Sequence, residues 1–144
     1  MYDLYYAVRA PEFATTAISE AQKQEILRQQ FRLQMGSYAA QFPNSCYHIV
    51  LLDGTPVGRL WVALQDGEYH LVDIALLPNL RSKGIGSVLV QRLQADAQQA
   101  KLPIRSTVFR FNPGSLRFHQ RNGFKIVRED PMNYYMEWHP APLL

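Results

Sequence analysis

One cysteine, Cys46, is all the thiol chemistry this chain of 144 residues carries. That excludes an internal disulfide framework and a Cys-rich zinc site, and no metal is expected. Cys46 precedes an apolar run and reads as a buried small hydrophobe. No apolar stretch approaches the ~18 residues of a membrane span. The start, Met1-Tyr2-Asp3-Leu4-Tyr5, lacks the basic residues and apolar region of a signal peptide, so the expected compartment is the cytoplasm. Charge of one sign is also scarce. A net charge of +3 is too weak to argue for nucleic acid, but it suits an anionic ligand. There is no repeat, low-complexity tract or linker. The composition, 47% hydrophobic and 19% charged, is that of a globular protein, and residues 1–144 read as one domain.

Tyr2 to Val8 is rich in aromatic and β-branched residues and reads as a first strand, broken by Ala10-Pro11. Ser19-Glu20-Ala21-Gln22 fits a capping box. Leu27, Phe31, Met35, Tyr38 and Phe42 recur at helical spacing, so a helix is predicted from about Ser19 to Gln41, ended before Pro43. Its aromatic stripe reads as a core face. Three strands follow: Cys46 to Leu52, Val57 to Leu64 and Glu68 to Leu77. Asp53-Gly54-Thr55-Pro56 and Asp66-Gly67 turn between them, giving an antiparallel meander. Leu60, Val62 and Leu64 share one face of the second. In the third, strict alternation sets His70 and Asp73 on opposite faces. A helix with Ile85, Leu89, Leu93, Ala97 and Ala100 on one face comes next, then a strand from Ile104 to Phe111. Asn112-Pro113 opens a short helix that Gly123 closes. Phe124 to Arg128 and Tyr134 to Trp138 finish the sheet, and the tail Pro140 to Leu144 reads as loose.

The chemistry concentrates at Arg81-Ser82-Lys83-Gly84-Ile85-Gly86. A strand, a basic glycine loop and a helix start make an anion cradle. Unpaired backbone N–H groups point outward there, and the helix dipole favours negative charge. Glycines let a bulky phosphate approach the backbone. The Walker A pattern fails, because Lys83 precedes the glycines instead of following them. The dinucleotide fingerprint fails too, because Leu89 stands where a third glycine or alanine is needed.

The pattern that remains is Arg/Gln-x-x-Gly-x-Gly/Ala at a helix start, after a strand that ends in Pro78. With the order of elements, it resembles the GNAT superfamily of acyl-CoA-dependent N-acetyltransferases. Asn112-Pro113-Gly114-Ser115-Leu116-Arg117-Phe118-His119-Gln120-Arg121-Asn122-Gly123-Phe124 resembles that family's second cofactor segment. The resemblance implies an α/β (α+β) fold. Its mixed, mostly antiparallel sheet is splayed at the central strands and flanked by helices.

The resemblance also implies an acetyl-CoA cosubstrate and an amine-bearing acceptor, with transfer of an acetyl group to a primary amine of a small molecule or protein. The pantetheine arm would pair with Ile74, Ala75 and Leu76. The pyrophosphate would take the turn Arg81, Ser82, Lys83, Gly84, Ile85, Gly86 and Ser87. Asn112, Ser115 and His119 would complete the cofactor site. A backbone N–H near Leu76 would stabilise the oxyanion. His119 stands where the family commonly has the Tyr that protonates the departing thiolate, with Tyr134 and Tyr135 as alternative donors. Asp73 is the candidate base, ahead of Glu68 and His70. The acceptor would lie between Gln30 to Phe42 and Asp130 to Tyr135. Loss of the Tyr leaves a second expectation, an acyl-CoA-binding module with little or no activity. Nucleic acid and membrane partners are not expected, and exposed edges leave room for a homodimer.

Overall fold

The computed structural model describes residues 2–9, 19–81 and 83–142. The predicted break at Ala10-Pro11, the loop residue Ser82 and the tail residues Leu143 and Leu144 lie outside them. The chain begins with α1 (Tyr2–Arg9) and α2 (Glu20–Gln41), followed by β1 (Cys46–Leu52), β2 (Thr55–Gln65) and β3 (Glu68–Leu76). A 3-10 turn, Pro78–Leu80, leads to α3 (Ile85–Ala100), then β4 (Ile104–Phe109), α4 (Pro113–Arg121), β5 (Lys125–Glu129) and β6 (Asn133–Trp138). The six strands form one sheet in the order β1-β2-β3-β4-β6-β5.

The first element corrects the sequence reading, for Tyr2 to Val8 is helical. Tyr2, Tyr5, Tyr6 and Arg9 sit at helical spacing, and packing on α2 overrides the β-propensity of the tyrosines. Tyr5 is 1% exposed. Its ring lies 5.2 Å from that of Phe31, and Tyr2 meets the same ring at 5.7 Å. The α2 helix follows expectation. Ser19 and Gln22 close a reciprocal capping box. Its stripe docks on the sheet through Tyr38 against Trp61 and Phe42 against His70.

Both predicted hairpin turns have left-handed Asp-Gly pairs, with φ of 51° and 80° at Asp53 and Gly54 and 55° and 72° at Asp66 and Gly67. Two positive φ values match the twist of a two-residue hairpin. The meander they join is covered on two faces. Val57, Arg59, Trp61 and Ala63 are buried, while Leu60 and Val62 pack on the main core from the other side. Leu64 is exposed. That core joins Leu71, Val90, Leu93, Ala97, Ile104, Val108, Phe124 and Met136. The buried stripe of α3 is Gly86, Val90, Leu93 and Ala97, and Ala100 faces solvent instead. Cys46 is exposed, contrary to expectation, because β1 is an edge strand.

The α3 helix ends at Lys101, whose φ of 59° is left-handed and whose N–H reaches Ala97 O and Gln98 O. Glycine adopts that geometry without steric cost. Lys101→Gly should therefore raise stability by about 0.5–1 kcal/mol, read as a higher urea midpoint at unchanged slope. A lower midpoint would show that the lysine side chain matters more than the strained backbone.

Candidate active site

Two strands part to make the site. β3 and β4 run parallel and pair only at Tyr69–Ile104, His70–Arg105 and Leu71–Ser106. Beyond Ser106, β4 keeps β6 as its partner, and beyond Leu71, β3 keeps only β2. The parting begins at a bulge. Trp61 faces Asp73 while Val62 faces Leu71, which leaves Val72 as the extra residue. A bulge re-aims the strand beyond it. It also corrects the predicted alternation. His70 pairs with Ala63 and Asp73 with Trp61, so both share the face that α2 covers.

Below the gap lies the start of α3. Its N-cap, Gly84, has φ 81° and makes no side-chain cap. Open space surrounds Gly84 where a Cβ would stand. The other two capped helices use Ser19 and Asn112, so here the first-turn N–H groups are left for a ligand. Arg81 and Lys83 are exposed beside it, and Arg81 Nε donates to Leu76 O at 3.3 Å. Gly86 has a second duty, because a Cβ there would come within 3.0 Å of the Phe118 ring. Ile85 is half-buried in the same turn. Ser87 accepts from Asn122 Nδ2 at 3.2 Å, tying α3 to the end of α4. An uncapped, open and basic helix start under a split sheet fits a phosphate-bearing chain whose arm enters the split.

Of the predicted arm residues, Ile74 packs on the main core, while Ala75 and Leu76 are half-buried on the strand that borders the gap. Asn112 is exposed, and its Oδ1 accepts from Ser115 N at 3.1 Å, the cap of α4. Asp73 lies on the α2 face. Its Oδ2 takes Arg59 Nε at 2.5 Å, a pair the sequence did not reveal. Burial holds the Asp73 carboxyl above its ordinary range, opposed by the Arg59 charge and hydrogen bond. Burial likewise pushes the Tyr38 hydroxyl up, with the Asp73 charge adding to it. Tyr47 Oη is buried and finds no partner among the described residues.

The other candidates have duties of their own. Glu68 is paired with Arg105. The His70 ring rests 5.1 Å from Phe42. Tyr134 lies under the Arg110 guanidinium at 4.7 Å, and Tyr135 donates to Asp130 Oδ2 at 2.6 Å.

His119 lies on the opposite face, 4% exposed, between the rings of Phe118 and Phe124. Its Nδ1 is 2.8 Å from Ser115 O, and its Nε2 is 2.9 Å from Ser106 Oγ. A carbonyl only accepts, so Nδ1 carries the proton. In the neutral ring Nε2 is then the acceptor, and Ser106 donates to it. Ser106 is 8% exposed and its Oγ also lies 3.2 Å from Leu71 O. Sequence reading missed it. The only signal was a hydroxyl in phase with the apolar Ile104 and Val108.

Burial is the first cause that holds His119 below its ordinary 6.5, opposed by the Ser115 bond. The unfolded chain thus binds a proton at a pH where the folded one does not. Stability falls as pH drops through about 6.5 toward the folded value. Urea titrations across that window should show wild type losing more stability than His119→Gln. Equal losses would mean that the ring is solvated.

A family described as the acetyltransferase (GNAT) family matches residues 9–124. The tRNA(Met) cytidine acetyltransferase of Haemophilus ducreyi is 36% identical over 78 residues, which span 51% of this chain and only 13% of that protein. An N-acetyltransferase of Methanocaldococcus jannaschii is 26% identical over 111 residues, 73% of this chain and 67% of that one. The fold is that of the PaiA N-acetyltransferase of Thermoplasma acidophilum, solved in complex with coenzyme A. That match has a TM-score of 0.72 at 18% identity over 96% of this chain and 89% of the other. A GNAT family acetyltransferase of Elizabethkingia anophelis with acetyl-CoA bound has a TM-score of 0.62 at 14% identity, covering 72% and 82%. With most of its length inside the family's match and its sheet split above an uncapped helix start, the chain belongs to the GNAT family of acetyltransferases.

Proposed function

We propose that this acetyltransferase moves an acetyl group from acetyl-CoA to a primary amine of a small molecule or a protein. The observation that carries this reading is the open N-terminus of α3 beneath the parting of β3 and β4. Its N–H groups, with Arg81 and Lys83, hold the pyrophosphate. The edge of β3 that β4 leaves open beyond Leu71 holds the amide-bearing arm as an added strand would. The thioester then lies in the gap, with a backbone N–H of β3 on its developing oxyanion.

The gap has two chemically different sides. Asp73 is on the α2 side, near Tyr38, Trp61 and Tyr47 Oη, which has no partner among the described residues. The amine arrives there. A carboxyl raised by burial is a better base than an exposed one, and Asp73 takes the proton the amine sheds. His119 is on the α4 side, and once its Nε2 has taken a proton from solvent the imidazolium gives it to the thiolate. A buried imidazolium is a stronger acid than a thiol, so that transfer runs downhill.

The test is a panel of amines with acetyl-CoA and thiol detection, beside a melting assay with CoA. Thermal protection by CoA and amine-dependent thiol release are expected. No response to CoA would sink the reading. Protection without thiol release on any amine would favour a binding module instead.

A further inference from the structure

We propose that the acceptor is a monoamine with an apolar tail, and that Phe109 and Phe111 hold the tail. The inference rests on the acetyl-CoA reading above and names the class of its acceptor.

One face of β4 changes character along the strand. Ile104, Ser106 and Val108 are buried, so Arg105, Thr107 and Phe109 point to the opposite face, and all three are exposed. Arg105 pairs with His70, whose ring rests on Phe42, so this is the face that α2 covers farther along the sheet. Arg105 stands beside the closed end of the gap, ion-paired with Glu68 and Glu137. Phe109 stands at the open end, beyond the last rung at Ser106. Its ring meets that of Phe111 at 5.4 Å, yet the two residues are 47% and 67% exposed. Met132 is exposed as well, and its carbonyl accepts from Arg110 N at 2.8 Å, which sets it beside the end of β4. Rings that pack on each other and still face water form an apolar patch that a ligand can cover.

The patch is continuous with the gap. Because Val72 bulges, Asp73 lies about one rung beyond the Leu71–Ser106 pair, whereas Phe109 lies three residues beyond it. At a strand's rise of about 3.3 Å per residue, Phe109 is roughly 7 Å farther out, on the other bank of the gap. An amine drawn to the Asp73 carboxylate would therefore lay the carbons behind its nitrogen over the Phe109 ring.

Charge at this rim argues against a second amino group. Asp130 Oδ1 accepts from the N–H groups of Met132 and Asn133 at 2.8 Å and 2.7 Å, and its Oδ2 accepts from Tyr135. Glu129 lies 3.4 Å from the Arg110 guanidinium. Arg128 stacks on the Tyr135 ring at 3.9 Å. A second ammonium would meet two guanidinium groups and, among the described residues of the rim, no carboxylate without a partner.

The experiment measures thiol release from acetyl-CoA with hexylamine, 2-phenylethylamine, ethylamine and 1,5-diaminopentane. The last matches hexylamine in length but carries an ammonium at its far end. Hexylamine and 2-phenylethylamine should exceed ethylamine in kcat/KM by about 10- to 100-fold, mainly through a lower KM. 1,5-Diaminopentane should fall about 10-fold or more below hexylamine. The double variant Phe109→Ser, Phe111→Ser should cut the ratio of hexylamine to ethylamine about 10-fold. Thermal protection of that variant by CoA reports a folded donor site. A ratio near one in wild type, or a preference for the diamine, would overturn the inference and leave the acetyl-CoA reading standing. Thiol release with peptides and with none of these amines would do the same. So would a dimer, seen by light scattering, that the double variant dissolves while the amine ratio stays fixed, since the rings would then belong to a second copy of the chain. Protection without thiol release on any amine would overturn this inference together with acetyl transfer, and absence of protection in wild type would overturn the acetyl-CoA reading itself.

Discussion

Arg59→Ala should cost about 3 kcal/mol of folding stability, because it leaves a carboxylate only 17% exposed without its partner. Arg59 is 5% exposed, and its Nε holds Asp73 Oδ2 at 2.5 Å. Its guanidinium also lies 5.2 Å from the Tyr5 ring, so α1 loses a contact as well. The loss should depend on pH with a definite sign. Without the cation, the folded Asp73 carboxyl rises further above its ordinary value. The folded state then binds a proton that the unfolded state has released, and stability falls as pH rises through that window. Urea unfolding should therefore show a smaller penalty near pH ~4 than at neutrality. Replacing both partners, as Arg59→Met with Asp73→Leu, should regain most of the loss, since a buried pair is often no more stable than an apolar one. That double variant also separates folding from chemistry. It should melt near wild type and bind CoA, yet release thiol slowly, as the base role proposed for Asp73 requires. A penalty under about 1 kcal/mol for Arg59→Ala would show that the Asp73 side chain reaches water and that the pair is of the weak surface kind.

Local signals made the glycine loop and the α4 segment legible as structure. Turns, caps and glycine loops depend on a few neighbouring residue types, so Arg81 to Gly86 and Asn112 to Phe124 could be read from their own letters. The hairpins at Asp53-Gly54 and Asp66-Gly67 and the Ser19 capping box were legible for the same reason. The α1 helix was not, because tyrosine is at home in either element and only contact with Phe31 decides. The α2 side of the gap was hidden by one residue. Val72 bulges, and every parity counted from His70 onward is shifted, so Asp73 turns to the α2 face and meets Arg59. The burial of β2 on two faces hid Arg59 as well, since a doubly covered strand loses the alternation that marks its core side. Ser106 was out of reach for a third reason. Its partners Leu71 and His119 are brought to it by a parallel crossover and by α4, which no local pattern encodes.

Gly58→Val should combine a loss of about 3 kcal/mol with a larger loss of CoA binding than that instability explains. Gly58 sits between Val50 of β1 and Leu76 of β3, and it is buried. A Cβ there would lie 2.6 Å from Ala75 O and 2.6 Å from Leu76 Cδ2. The leucine methyl can swing aside, but the carbonyl belongs to a strand pinned by Leu77 N donating to Val57 O at 2.9 Å. Relief therefore requires the end of β3 to move off β2. The direction open to it is toward β4, where no rung is made beyond Ser106. The gap proposed to receive the pantetheine arm narrows from the side, while the uncapped turn at Gly84 is untouched. Binding of an intact CoA should thus weaken more than binding of a pyrophosphate-bearing nucleotide that lacks the arm, measured by calorimetry on both. Gly58→Ala should show the same ratio with a smaller loss of stability. Equal weakening of the two ligands would mean that the strain passes into the helix start, and an unchanged CoA affinity would mean that β1 and β2 yield in place of β3.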